Sequence, residues 1–92
     1  NLEKGKLPPQ ALDLEEAVLG AMMIDKKGVD EVIDILQPDA FYKEAHKHIF
    51  EAIVQLFNET QPVDLLTVSA QLKKSGKLEL SANPKDIFFG TY

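Results

Sequence analysis

The sequence predicts an all-α protein, a small orthogonal bundle of several helices packed around one long central helix. Residues 41–59 contain neither glycine nor proline, and their apolar side chains recur at three- and four-residue steps, which places them on one helical face. A helix of this length spans roughly 28 Å, the width of a small domain. Its apolar arc is wide enough to pack against more than one neighbour, so we place this helix at the centre.

Composition indicates one ordinary globular domain. The 92 residues are 45% hydrophobic and 27% charged, which is typical of soluble proteins. The absence of cysteine excludes a disulfide framework and a thiolate metal site. The longest apolar run, residues 17–24, is too short to span a bilayer, and the first ten residues lack the apolar core of a signal peptide. We therefore expect a cytoplasmic protein with no membrane partner.

The charge balance argues against direct binding of nucleic acid. The net charge is −5, and the chain has ten lysines and no arginine, whereas phosphate binding depends on neutralisation by lysine and arginine. Lys73, Lys74 and Lys77 form the one local basic cluster. They lie at the predicted end of a helix, where cations are favoured by the helix dipole. We interpret this cluster as structural.

The first helix is predicted to span residues 14–23. Residues 1–12 form an extended lead-in, because two consecutive prolines disfavour helix there. Asp13 is a candidate N-cap, with Glu16 three residues later in a capping-box arrangement. We expect the two methionines of this helix to fill the core. Its predicted buried face consists of Leu14, Ala17, Val18 and Ala21.

The second helix is expected after the turn at residues 25–28, which also forms a helix N-terminus. Apolar residues then repeat at helical spacing up to Leu36. Pro38 forces this helix to end at Leu36 or Gln37. Asp39 can cap the entry into the central helix.

A fourth helix follows the break at Pro62. Asp64 is its candidate N-cap, and Gly76 is its candidate C-cap. We expect residues 77–80 to be a short extended segment and residues 81–85 to be a loop. Residues 86–92 are strongly apolar for a terminus and need to be covered by this domain or by a partner. The predicted organisation is therefore a lead-in (1–12), a helical domain (13–80) and a divergent tail (81–92).

The sequence offers little that could carry chemistry. It contains no glycine-rich phosphate loop, no carboxylate pair that can be named as general acid and base, and no serine with an implied histidine partner. His46 and His48 point in different directions on one helix. Glu44 and His48 could share a metal ion, but no third ligand is indicated. We predict no catalytic residue, no bound cofactor and no metal site.

Several motifs together suggest a family. Residues 12–21, LDLEEAVLGA, resemble the "EAEqavLG" opening of the N-terminal domain of bacterial replicative helicases of the DnaB type. Residues 38–42, PDAFY, resemble its "P-E-D-F-Y" step, and residues 46–50 match "H-x-x-I-F". Residues 61–72, QPVDLLTVSAQL, are similar to "x-P-[IV]-D-x-[VL]-T-V-x-x-x-L", and residues 76–78 match "G-x-L". The motifs occur in the family's order from residue 8 to residue 80. After Leu80 the family's paired glycines and helical hairpin are not matched.

The resemblance implies a function that this chain serves without catalysis. It implies a collar domain of a hexameric helicase, which pairs subunits and docks the helicase-binding C-terminal domain of primase during DNA replication. ATP and Mg²⁺ would belong to a separate motor domain of the parent protein. The matched motif residues would be structural. Asp64 would cap the fourth helix, and the structural core of the family motifs would further consist of Leu19, Phe41, His46, Ile49, Phe50 and Leu72.

Surplus apolar side chains mark a candidate partner interface. They lie at the end of the central helix and in the tail, and they are Phe57, Ile87, Phe88, Phe89 and Tyr92. Two alternatives belong to other classes of protein. One is a helix-turn-helix DNA-binding regulator, although its recognition helix would lack arginine. The other is a small metal-dependent enzyme that uses Glu44 and His48.

Overall fold

The structure is a computed structural model that describes residues 11–77 and 83–89, and all the regular elements in these ranges are helical. The predicted all-α fold is therefore confirmed. The elements are α1 (Leu12–Ile24), α2 (Lys26–Val32), a 3₁₀ turn (Pro38–Ala40), α3 (Glu44–Asn58), α4 (Leu65–Lys74) and α5 (Lys85–Phe89). Residues 1–10, 78–82 and 90–92, including Tyr92, lie outside the described ranges, and with them most of the predicted lead-in and extended segment.

The core lies around α3, which packs against both α1 and α4. Apolar side chains on one face of α3 are buried because they repeat at helical spacing, as the sequence predicted. The large side chains that are almost completely buried include Leu19, Met22, Phe41, Ile49, Phe50, Ile53, Val68 and Leu72. A single apolar core therefore joins α1, α3 and α4.

Helix α1 begins earlier than predicted and buries a different face. Asp13 lies within its first turn instead of capping it, and the N-cap position is Ala11, which makes no side-chain cap bond. Leu14, predicted to be buried, is 41% exposed. Ala17 and Ala21 are also exposed, and Val18 is half-buried. A helix that is apolar around most of its circumference gives no periodicity by which to choose the buried face, and the true face is Glu15, Leu19, Met22 and Met23.

Asp25 alone separates α1 from α2, so the predicted turn at residues 25–28 is wrong beyond its first residue. Asp25 is the N-cap of α2, and its side chain accepts a hydrogen bond from the Lys27 N–H at 2.9 Å. A Cβ at Gly28 would lie 2.9 Å from the backbone oxygen of Ala21. Glycine is therefore required there for α2 to approach the backbone of α1 this closely. The sequence predicted that the second helix ends at Leu36 or Gln37. The regular part of α2 ends earlier, at Val32, and residues 33–35 form turns.

The central helix starts at Glu44 instead of Phe41, which corrects the predicted boundary. Asp39 does not cap it, because Asp39 lies inside the 3₁₀ turn that precedes it. Phe41 has extended backbone torsions (φ −92°, ψ 138°) and donates its N–H to the Pro38 oxygen at 3.1 Å. The chain thus turns at Pro38, inserts Phe41 into the core and only then begins α3.

Two helix ends use left-handed backbone. After α4, Gly76 has φ +78°, and the N–H of Lys77 donates to the Leu72 oxygen at 2.8 Å. After α3, Thr60 has φ 58°, and the N–H of Gln61 donates to the Leu56 oxygen at 2.9 Å. Both ends are Schellman-type caps. Glycine adopts a positive φ without strain, whereas the β-branched Thr60 is strained there.

Candidate functional site

A buried polar cluster joins α1 to the start of α3. Its members are the Glu15 carboxylate, the His46 imidazole, and the backbone N–H groups of Tyr42 and Lys43. The Glu15 carboxylate accepts from the Tyr42 N–H at 2.6 Å and from the Lys43 N–H at 3.3 Å. One of its oxygens also lies 2.7 Å from His46 Nδ1. Neither Glu15 (0% exposed) nor His46 (2% exposed) has access to solvent.

This cluster supplies the cap that the sequence of α3 lacks. Lys43 occupies the N-cap position of α3 and offers no side-chain cap bond, so the first N–H groups need an acceptor from elsewhere. The carboxylate of Glu15 provides one and also places negative charge at the positive end of the helix dipole. His46 Nε2 lies 4.0 Å from a Glu16 carboxylate oxygen. The cluster therefore holds α1 and α3 together through hydrogen bonds, and its arrangement indicates a structural role.

Sequence reasoning missed Glu15, because a glutamate in a helix usually faces solvent. A signal for it does exist in the sequence. His46 lies on the apolar side of α3, and a buried imidazole needs a polar partner. That requirement predicts that some polar residue on a neighbouring helix must be buried with it.

The structure places the seven predicted structural residues of the family motifs as follows. Leu19, Phe41, His46, Ile49, Phe50 and Leu72 are each at most 2% exposed. The rings of Phe41 and Phe50 pack in a tilted arrangement with centroids 5.1 Å apart. Asp64 is exposed and caps α4 through a capping box with Thr67: the Asp64 carboxylate accepts from the Thr67 N–H at 2.8 Å, and the Thr67 Oγ1 accepts from the Asp64 N–H at 2.9 Å.

The candidate interface residues do not form one group. Phe57 is 39% exposed near the C-terminal end of α3. Ile87 and Phe88 belong to α5 and are half-buried against the core; they lie beside Gly20 of α1. Phe89 is the last residue of α5. The apolar tail, which was expected to be covered by the domain or by a partner, thus forms in part a short helix that packs on α1.

The residues considered as a metal pair do come together. His48 Nε2 lies 3.6 Å from a Glu44 carboxylate oxygen, and His48 Nδ1 lies 3.3 Å from a Glu51 carboxylate oxygen. Within the described ranges no group of three or more histidine, aspartate or glutamate side chains is arranged to hold a metal ion. Likewise, none of the helices described there has the length and apolarity needed to cross a bilayer.

The basic cluster is divided between a helix end and the turn after it. Lys73 and Lys74 lie in the last turn of α4, where their charge complements the helix dipole. Lys77 follows Gly76 in the C-terminal cap. All three side chains are exposed.

The geometry defines a class of small all-helical domain whose buried polar groups tie helices together. Comparison with known proteins gives the family. The model of the DnaB-like helicase N-terminal domain matches residues 7–87, and the chain belongs to that family. This match extends beyond Leu80, where the recognisable motifs end.

Relatives and a solved structure agree with this assignment. The chain is 49% identical over 77 residues to the replicative DNA helicase DnaB of Rhodothermus marinus, covering 84% of this chain and 8% of that protein. It is 42% identical over 74 residues to the replicative DNA helicase DnaB of Geobacillus stearothermophilus, covering 80% and 16%. The crystal structure of the N-terminal domain of the DnaB helicase from Mycobacterium tuberculosis superposes with a TM-score of 0.79 at 34% identity, covering 88% of this chain and 56% of that one. The chain thus spans only a small fraction of the full-length helicases that it resembles.

Proposed function

We propose that this chain is the N-terminal collar domain of a hexameric replicative DNA helicase that acts at the replication fork in the cytoplasm. In this role it pairs subunits within the hexamer and docks the helicase-binding C-terminal domain of primase. The observation that carries the proposal is the family match over residues 7–87. It is supported by the relatives, whose names describe replicative DNA helicases.

In this proposal the chemistry of unwinding belongs to another part of the parent protein. ATP and Mg²⁺ act in a separate C-terminal motor domain, and this chain holds neither. A net charge of −5 without arginine gives the domain little electrostatic attraction for DNA phosphates. Its contribution is therefore binding to other proteins, with itself and primase as the partners.

Phe57 is the described interface candidate that is best placed to contact a partner. It continues the apolar stripe of α3 beyond the buried Phe50 and Ile53, yet it is 39% exposed. Exposed aromatic side chains are enriched at protein interfaces. Ile87 and Phe88 already pack on α1, and they contribute through their remaining exposed surface, together with Phe89 and Tyr92 of the tail.

A calorimetric titration of the chain with the C-terminal domain of a bacterial primase tests the proposal. Sedimentation velocity on the chain alone measures self-association in parallel. We expect saturable primase binding, weakened at least about tenfold by Phe57→Ser, since truncating an aromatic hot-spot residue costs about 2 kcal/mol or more. Asn58→Ser, the neighbouring exposed polar position, is the matched control and is expected to bind as the unsubstituted chain does.

Absence of both primase binding and self-association would overturn the proposal. DNA binding with a steep salt dependence would instead favour a helix-turn-helix regulator. A metal-dependent enzyme would be favoured if metal content fell on His48→Ala. We expect neither of these results.

A further inference from the structure

The first turn of α3 is held in place mainly from outside its own sequence. The N–H groups of Tyr42 and Lys43 both donate to the Glu15 carboxylate on α1. The next two hydrogen bonds of this helical turn depend on the position of Lys43. The N–H groups of His46 and Lys47 donate to the Lys43 oxygen at 3.0 and 3.1 Å. One buried side chain thus supports four hydrogen bonds donated by backbone N–H groups between residues 42 and 47.

We propose that Glu15 acts as a latch on residues 42–47, and that this segment opens and closes as one unit while the remainder of the domain stays folded. When the carboxylate leaves the Tyr42 and Lys43 N–H groups, Lys43 loses its fixed position. The Lys43 oxygen is then no longer aligned with the N–H groups of His46 and Lys47. The four hydrogen bonds are therefore lost together.

Only the second half of the segment packs against the core. Phe41, directly before it, stays anchored by its ring against Phe50 and by its bond to the Pro38 oxygen. Tyr42 is 58% exposed, and Lys43 and Glu44 are also exposed, so the buried surface that opening uncovers is confined mainly to Ala45 and the His46 imidazole. Regions with few buried apolar contacts are those that open locally at low free energy.

Opening the latch has a defined consequence for the surface. Among the aromatic side chains whose exposure the structure describes, Tyr42 is the most exposed, and the latch fixes its backbone. The closed latch therefore holds the backbone that carries the Tyr42 ring in one conformation. The open latch releases it and admits water to the Glu15–His46 contact.

Native-state hydrogen exchange on the 92-residue chain tests the latch. We expect the amides of Tyr42, Lys43, His46 and Lys47 to exchange with a common opening free energy that hardly changes with denaturant, because little surface is exposed. The amide of Ile53, in the middle of α3, should show the steep denaturant dependence of global unfolding. If the four amides share the dependence of Ile53, the latch does not exist; this measurement needs no variant.

Glu15→Gln gives a second test. The amide NH₂ cannot accept hydrogen bonds, so the four amides should exchange at least about tenfold faster and still as a group. Glu16→Gln removes the same charge one residue away and should leave all four within about threefold. Faster exchange confined to Tyr42 and Lys43 would mean that two bonds are lost without release of the segment, and this would overturn the proposal.

Discussion

Glu15 of α1 and His46 of α3 are 31 positions apart in the sequence, yet a Glu15 carboxylate oxygen lies 2.7 Å from His46 Nδ1. Both side chains are buried. A buried charge is costly unless it is paired and hydrogen-bonded, and the additional bonds from the Tyr42 and Lys43 N–H groups meet that requirement. The pair therefore specifies how α1 meets the N-terminus of α3.

Glu15→Gln should lower the free energy of unfolding by about 2–3 kcal/mol, since it leaves buried donors without a full acceptor. Chemical denaturation followed by circular dichroism measures this. Glu16→Gln, whose side chain is partly exposed, should change stability by no more than about 0.5 kcal/mol. Equal effects of the two substitutions would contradict the role assigned to Glu15.

A double-mutant cycle isolates the contact itself. Combining Glu15→Gln with His46→Gln should give a coupling energy of about 1–2 kcal/mol, because the two side chains touch directly. Combining Glu15→Gln with His48→Gln, which is on the same helix but bonded to Glu44 and Glu51, should give additive effects. Additivity in the first cycle would show that Glu15 acts only through the backbone.

The two phenylalanines of α3 should differ sharply in their contribution to stability. Phe50→Ala removes a buried ring that packs on Phe41, and we expect a loss of about 3–5 kcal/mol. Phe57→Ala, at 39% exposure, should cost less than about 1.5 kcal/mol, since less area is returned to water. Thermal unfolding of both variants provides the comparison. A large cost for Phe57→Ala would mean that this ring serves the core of the domain, which argues against an interface.

Gly28 and Gly20 provide a test of the close approach between helices. Alanine would gain about 1 kcal/mol of helix propensity at either position. At Gly28, however, the added Cβ would lie 2.9 Å from the Ala21 oxygen, whereas at Gly20 its nearest contact would be Ile87 Cγ2 at 3.4 Å. We expect Gly28→Ala to destabilise by about 1–3 kcal/mol and Gly20→Ala to be close to neutral or stabilising. The reverse order in denaturant midpoints would contradict the α1–α2 geometry.

Thr60 should be a site of easy stabilisation. Its φ of 58° is strained for a β-branched residue, so Thr60→Gly should raise the free energy of unfolding by about 0.5–1 kcal/mol after the entropy cost of glycine. Gly76→Ala, at φ +78° in the equivalent cap, should lower it by about 1 kcal/mol. If Thr60→Gly proves destabilising, the threonine side chain must make a compensating contact.

Apolar spacing and caps were sufficient to predict that α1, α2, α3 and α4 exist, because both are local properties of the sequence, but the short α5 was not predicted. Asp64 and Gly76 bracket α4 as predicted, and the apolar stripe of α3 is buried. The predicted start of α3 at Phe41 was wrong, because local signals conflict there. Phe41 fits the helical stripe, but the 3₁₀ turn at Pro38 and the cap from Glu15 hold it in extended backbone instead.

Contacts between distant segments could not be predicted from spacing. α1 is apolar on several sides, so its buried face is chosen by what approaches it, and Glu15 is buried because the uncapped N-terminus of α3 arrives there. The candidate interface was equally beyond local reasoning. Ile87 and Phe88 looked like surplus apolar surface, but α5 packs them beside Gly20.

The most direct test of a partner-binding role is an NMR titration of the isotopically labelled chain with the C-terminal domain of primase. We predict saturable shift changes that include the surface around Phe57 and spare the buried Leu72. The chain alone should show no ATP hydrolysis in the same buffer. Unchanged spectra at high primase concentration would contradict the primase-docking role, and ATP hydrolysis by the chain itself would contradict the non-catalytic role.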